Sequence, residues 1–176
     1  MIDVTLNNDV KCPALGIGTF MMKPDQAQAA VAAALKDGYR LVDTANAYLN
    51  EKAVGRAVAA SGIDRKDLFL ATKLRPTVYR SADAVPKTLE RLGTDYVDLL
   101  FIHQPAGDYT AGYRQLEQAY KEGKTRSIGI SNFYGDKLKR LLDECEIKPQ
   151  VIQLEAHPYC TEKDIVKNPH LIAEAI

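Results

Sequence analysis

The sequence has no tryptophan, no net charge and no apolar run approaching 18 residues. Each lack excludes something. With 23 basic and 23 acidic residues, the chain has no electrostatic reason to bind nucleic acid or an anionic membrane. Without a long apolar run, no transmembrane helix is expected. The opening "MIDVTLNNDVKC" has no apolar signal core, so a cytoplasmic location is expected. Cysteine is scarce: Cys12, Cys145 and Cys160 are odd in number and widely scattered. That argues against a disulfide framework and for a reducing compartment. What remains is an ordinary globular composition, 46% hydrophobic and 26% charged, over 176 residues. That length suits one domain and buries roughly 70% of the unfolded surface.

The patterning alternates strand and helix. "VTLNNDVKCP" has hairpin chemistry around Asn7, Asn8 and Asp9. After the short apolar run "ALGIGTF", "PDQAQAAVAAALKDG" reads as a helix, with Pro24 near its start and Gly38 past its end. Strands centre near residues 42, 70, 100, 129 and 152, with a helical segment in each gap. In one of these helices, "SADAVPKTLERLG", Pro86 should fray or kink the first turns. Each spacing accommodates one βα unit. Strands apolar on both faces imply a parallel sheet covered by helices. Two architectures satisfy this: a doubly wound open sheet or a (β/α) barrel. The phosphate signatures that favour the open sheet fail. "GIGTFM" has Met21 where its third glycine belongs, and "EGKT" has Gln118 where a phosphate loop would need glycine.

In either architecture chemistry sits at the carboxyl ends of the strands. There stand Asp43 with Tyr48 in the next loop, Lys73, His103, Ser131 with Asn132, and Gln153. Singly, each has an ordinary reading: a turn cap, a half-buried aromatic, a solvated lysine, a core histidine, a loop opener. Together they surround one mouth. A phenol has an unperturbed pKa near 10, too high to donate readily at neutral pH. An adjacent ammonium lowers it, and a carboxylate holds the ammonium. Asp43, Lys73 and Tyr48 therefore suit a tuned general acid, with His103 bonding a substrate oxygen beside it. Protonating a carbonyl oxygen is productive when hydride reaches the carbon, which requires a cofactor. Ser131, Asn132 and Gln153 suit the carboxamide of a nicotinamide ring.

At this point the chain resembles the aldo-keto reductase family. The matching stretches are "LGIGTF", "GYRLVDTANAYLNEKAVGRA", "LFLATKL", "RLGTDYVDLLFIHQP", "GKTRSIGISNF" and "VIQLEAHPYC", in family order to about residue 160. They look closest to the bacterial branch that includes diketogluconate and glyoxal reductases. The resemblance implies a TIM-type (β/α)8 barrel and reduction of small aldehydes or ketones by NADPH, with no metal. It implies Tyr48 as proton donor, Lys73 lowering its pKa, Asp43 holding Lys73, and His103 orienting the carbonyl. It places Ser131, Asn132 and Gln153 on the nicotinamide carboxamide, Thr19 and Asp43 near the ribose, and Phe20 in the substrate wall. The N-terminal hairpin would plug the bottom of the barrel. Arg75-Pro76 and Gln104 stand where the family frequently has aromatic residues, so the substrate wall near Gln104 departs from the pattern.

Length is the larger departure. Such a barrel takes about 250 residues. One strand at 14–18 plus five more makes about six of eight βα units. Residues 1–176 are thus expected to form a single reductase domain lacking strands 7–8, with the tail "DIVKNPHLIAEAI" drawn from beyond the seventh strand. Six strands cannot close eight-strand geometry. The first and sixth strands should keep unpaired edges that invite self-association. The alternative function is an inactive truncated pseudoenzyme, or an interaction module of the same fold.

Overall fold

The computed structural model describes residues 2–163 and the backbone of 172–175. β1 (Asp3–Thr5) and β2 (Lys11–Pro13) pair antiparallel, as the hairpin chemistry predicts. Asp9 in their turn has φ 65°, a left-handed conformation that Asp and Asn tolerate best among non-glycine residues. The alternation follows: β3 (Gly16–Gly18), α1 (Pro24–Lys36), β4 (Leu41–Asp43), α2 (Glu51–Ala60), β5 (Phe69–Leu74), α3 (Ala84–Leu92), β6 (Val97–Ile102), α4 (Tyr109–Lys121), β7 (Thr125–Ser131), α5 (Gly135–Glu144) and β8 (Val151–Leu154). Beyond α1, Gly38 turns the chain with φ 96°. α3 begins at Ala84, later than its pattern suggests. Pro86 therefore falls in the first turn, where its missing N–H breaks no helical bond.

Strands β3 to β8 form one parallel sheet in sequence order. This is the curled wall of an incomplete (β/α)8 barrel. A short further strand, β9 (Ile172–Ala175), adds parallel to β8, with Gln153 opposite Glu174. The expectation that the strand at 152 keeps an unpaired edge is corrected: that edge passes to β9. The sheet remains open between β3 and β9 among the described residues. The tail reading rests mainly on residues 164–171, which lie outside the described residues.

Strand parity divides the interior in two. On one side Val42, Leu70, Leu74, Leu100, Ile102, Ile128, Ile130, Ile152 and Leu154 meet the helices. On the other side Leu41, Phe69, Ala71, Leu99, Phe101 and Val151 fill the barrel. Because side chains alternate along a strand, Asp43 follows Leu41, Lys73 follows Ala71 and Gln153 follows Val151 onto the barrel face. Ser131 shares its parity with Gly129, whose missing side chain leaves room for Phe101: a Cβ there would stand 2.5 Å from the Phe101 ring. The period that buries the wall also aims the polar groups at the mouth.

The hairpin closes the other end. Leu6 and Cys12 join the barrel-filling cluster. The Asn8 side chain donates to Arg126 O (3.0 Å) and Ser127 Oγ (3.2 Å), and Asn7 donates to Pro149 O (3.2 Å). The expected plug is present. Beside it Asp98, fully buried, receives Arg65 at 2.7 Å, Arg126 at 2.9 Å and the Leu70 N–H at 2.9 Å.

α2 and α3 cross at Gly55, where an added Cβ would lie 2.3 Å from the Leu92 carbonyl oxygen. Alanine normally favours a helix by about 1 kcal/mol over glycine. Here Gly55→Ala should instead destabilise by about 1–3 kcal/mol, because backbone must move. Urea unfolding reads this, and an unchanged or raised midpoint would contradict the crossing geometry.

Candidate active site

β4 ends at Asp43, and the chain then turns through a short 3-10 helix, Asn46–Tyr48. β5 carries Lys73 one residue before its end. The Lys73 ammonium is 1% exposed and has two partners: the Asp43 carboxylate and the Thr44 carbonyl at 3.1 Å. Gln153 Nε2 reaches the second Asp43 oxygen at 3.5 Å. Tyr48 stands over this pair, its ring centroid 5.2 Å from Lys73 Nζ. Two rings flank it. His103, just past β6, meets it edge-on at 5.5 Å, and Phe20 lies tilted at 5.1 Å. Phe20 is 66% exposed, so it forms an open lip rather than core. Gln104 is also exposed, at the same rim.

The amide group gathers next to the pair. Ser131 pairs with Gln153 across the β7–β8 ladder. Asn132 takes the left-handed conformation, φ 63°, at the end of β7. Its side-chain N–H₂ donates to Ser131 Oγ (3.0 Å) and His103 O (3.2 Å), and its backbone N–H donates to Gln153 O (3.0 Å). Two buried polar atoms have no hydrogen-bond partner here: Gln153 Oε1 and His103 Nδ1. Thr19 lies beside Asp43, fully buried, with its hydroxyl donating to the Asp43 carbonyl at 3.1 Å.

Electrostatics at the mouth are a contest between burial and Lys73. Burial raises the Asp43 pKa, and Lys73 opposes it. Burial also raises Tyr48 above the ordinary phenol value. Lys73 pulls it down, and the Asp43 charge pushes it up. Lys73 therefore acts in the expected direction, but the net shift of the phenol is upward because desolvation is the largest effect. His103 is lowered to about 4, first by burial and then by the Lys73 charge. It is neutral at pH 7.

Sequence reasoning missed two residues behind the site. Asn50 donates to Thr19 O (3.0 Å) and Met22 O (3.1 Å) and accepts from Thr44 Oγ1 (2.8 Å), tying the loop after β3 to the loop after β4. Glu51 is buried. It accepts from Asn46 (3.0 Å), which opens the Tyr48 turn, from Thr72 (2.7 Å), which precedes Lys73, and from Arg91 (2.6 Å). An "NE" pair opening a helix looks like routine first-turn polarity; only the packing of the neighbouring loops, β5 and α3 around it reveals its partners.

Comparison with known proteins shows which family this fold belongs to. The aldo/keto reductase family model matches residues 14–172. An aldo-keto reductase of Mycobacterium tuberculosis is 44% identical over 93% of this chain and 60% of its own length. Morphine 6-dehydrogenase of Pseudomonas putida is 40% identical over 93% and 57%. Among solved structures, an aldo/keto reductase from Brucella melitensis superposes with TM-score 0.95 at 38% identity, covering 99% of this chain and 72% of that one. A Bombyx mori aldo-keto reductase in complex with NADP gives 0.92 at 30%, covering 99% and 65%. The chain thus spans about 60% of the length of the curated relatives it matches. A buried lysine–carboxylate pair under a phenol, on a parallel barrel wall, accompanies a match over most of the chain, and the chain belongs to the aldo/keto reductase family.

Proposed function

We propose that this chain carries the proton-donating half of an NADPH-dependent carbonyl reductase. One observation carries the reading most: a buried ammonium, fixed by Asp43, lies beneath Tyr48 while His103 and Phe20 flank the phenol. A carbonyl oxygen between Tyr48 and His103 would take a hydrogen bond from the neutral imidazole and a proton from the phenol. Lys73 stabilises the phenolate left behind, and Asp43 keeps the ammonium in place. Phe20 and Gln104 line the substrate side. We infer from the motifs a kinship with the bacterial branch of diketogluconate and glyoxal reductases, which points to a small aldehyde or ketone as substrate.

The residues fit a nicotinamide cofactor. Gln153 Oε1 is a buried acceptor without a donor. A carboxamide N–H₂ would supply one. Ser131 and Asn132 would share that carboxamide, and Thr19 and Asp43 would stand by the ribose. When bound, the reduced cofactor would supply hydride, a hydrogen with its electron pair, to the carbonyl carbon and be left oxidised. Residues 1–176 are read as one reductase domain, short of the last strands of a closed barrel, in a cytoplasmic setting. None of the described helices is long and apolar enough to cross a membrane.

Three outcomes follow from this reading. NADPH fluorescence should change on titration with the protein at millimolar cofactor; no change removes the proposal for this chain. Tyr48→Phe should abolish carbonyl turnover and leave cofactor affinity within about twofold, since a lost donor acts in the transition state. Equal loss of cofactor binding would reject the role of Tyr48. Size-exclusion chromatography should show a dimer or larger species joined through the open edges of β3 and β9, and a strict monomer would rule that out.

His103 adds a pH dependence. Its folded pKa, about 4, lies below the ordinary 6.5. Between those values the unfolded chain binds more protons than the folded one, so stability rises with pH across that window. It should fall as pH drops from 6.5 to about 4. His103→Gln should flatten this slope in urea unfolding at pH 7 and pH 5. An unchanged slope would mean the imidazole titrates normally.

A further inference from the structure

His103 has no polar anchor of its own. Neither ring nitrogen makes a hydrogen bond, and Nδ1 is buried without a partner. The ring's place is therefore inherited from its backbone and from edge contact with Tyr48. The β5–β6 ladder ends at this point, with the His103 N–H on the Leu74 carbonyl at 3.1 Å. One residue further, a side chain continues it. The Tyr79 hydroxyl donates to the Gln104 carbonyl at 2.9 Å and accepts from the Gln104 N–H at 3.1 Å. It thus reaches both backbone polar groups of one residue, as a neighbouring strand would, sharing the carbonyl with the Ala106 N–H at 2.8 Å.

Tyr79 is itself held. It is 1% exposed. It follows a 3-10 turn, Pro76–Val78, whose Pro76 carbonyl accepts its N–H. Its own carbonyl accepts from the Gln115 side chain of α4. Its ring lies against Gly112 of α4, where an added Cβ would stand 2.7 Å from the ring. From the other side, Asn132 holds the His103 carbonyl at 3.2 Å. Gln104 keeps its side chain exposed while its backbone is pinned, so the pinning serves the backbone path and not the glutamine. Burial pushes the phenol up to about 12, which keeps its proton in place as a donor across the neutral range.

We propose that Tyr79 is a positioning residue: it clamps the peptide after His103 and so sets where the imidazole stands at the mouth. The consequence for catalysis rests on His103 being the group that orients substrate; the clamp itself does not. The titratable groups facing the imidazole are Lys73 of β5 and Tyr48 of the turn after β4, with Asp43 behind them paired to Lys73. Loosening the clamp should let water reach the ring, which removes the main cause of its low pKa.

The test reads the ring directly by proton NMR of the imidazole Cε1–H signals. The chain has three histidines, and His103→Gln identifies the relevant signal. Tyr79→Phe deletes one hydroxyl at nearly constant volume. His103 should then titrate about one pH unit or more above its value in the unmodified protein, toward 6.5. Gly112→Ala should move it the same way by driving a methyl into the Tyr79 ring, although alanine ordinarily suits a helix better. A lower melting temperature with an unchanged His103 titration in both variants would make Tyr79 merely structural and overturn the proposal. Should neither variant fold, hydrogen exchange at the Gln104 amide of the unmodified protein decides: slow exchange supports the clamp and fast exchange overturns it. The His103 signal is read without cofactor or turnover, so a failure of the reductase reading stays separate from a failure of this one.

Discussion

The mouth of this protein depends on a lysine that the fold has taken out of water. Moving an ammonium from solvent costs several kcal/mol even after local relaxation. Lys73 offsets that chiefly through Asp43 and the Thr44 carbonyl, with the Tyr48 and Phe101 rings nearby, and Asp43 is in turn met by Gln153. Those groups belong to β5, β4 and β8 and the turn after β4. The pairing therefore constrains strand register as strictly as the apolar face does. A slip by one residue in β4 or β5 would send the carboxylate or the ammonium toward the helices. Breaking such a pair leaves a lone buried charge, which costs about 3–5 kcal/mol.

The same burial has a chemical effect. Desolvation favours the neutral forms of Tyr48, Asp43 and His103. A general acid works best with a pKa near the working pH. The phenol alone would be a poor one, and Lys73 is the group that opposes the upward drift. For His103 burial and Lys73 act together, which keeps the imidazole uncharged and able to donate a hydrogen bond without adding a second cation beside Lys73. One ammonium thus tunes its two neighbours in the directions the proposed chemistry requires.

Much of this was legible in the sequence because it depends on short periods. Alternation of apolar runs with helical patterns yields the parallel wall. Strand parity then puts Asp43, Lys73, Ser131 and Gln153 on its inner face. The hairpin showed in Asn7, Asn8 and Asp9. β9 did not show: "IAEA" is rich in residues that prefer helix, and only its pairing with β8 makes it a strand. Asn50, Glu51 and Tyr79 were hidden for another reason. Each has a partner far along the chain, Met22 for Asn50, Arg91 for Glu51 and Gln104 for Tyr79, and no local spacing reports such contacts.

The plug at the bottom of the barrel carries a consequence for the order of assembly. Asn7 bonds to Pro149, 142 residues along the chain, and Asn8 bonds to Arg126, 118 residues along. Contacts of such separation form late, since the intervening chain must first be ordered to bring the ends together. The hairpin, made before the strands it closes, is therefore among the last parts to reach its final place. Until β7 and β8 arrive, Asn7 and Asn8 lack the carbonyls that fix the plug against the barrel floor.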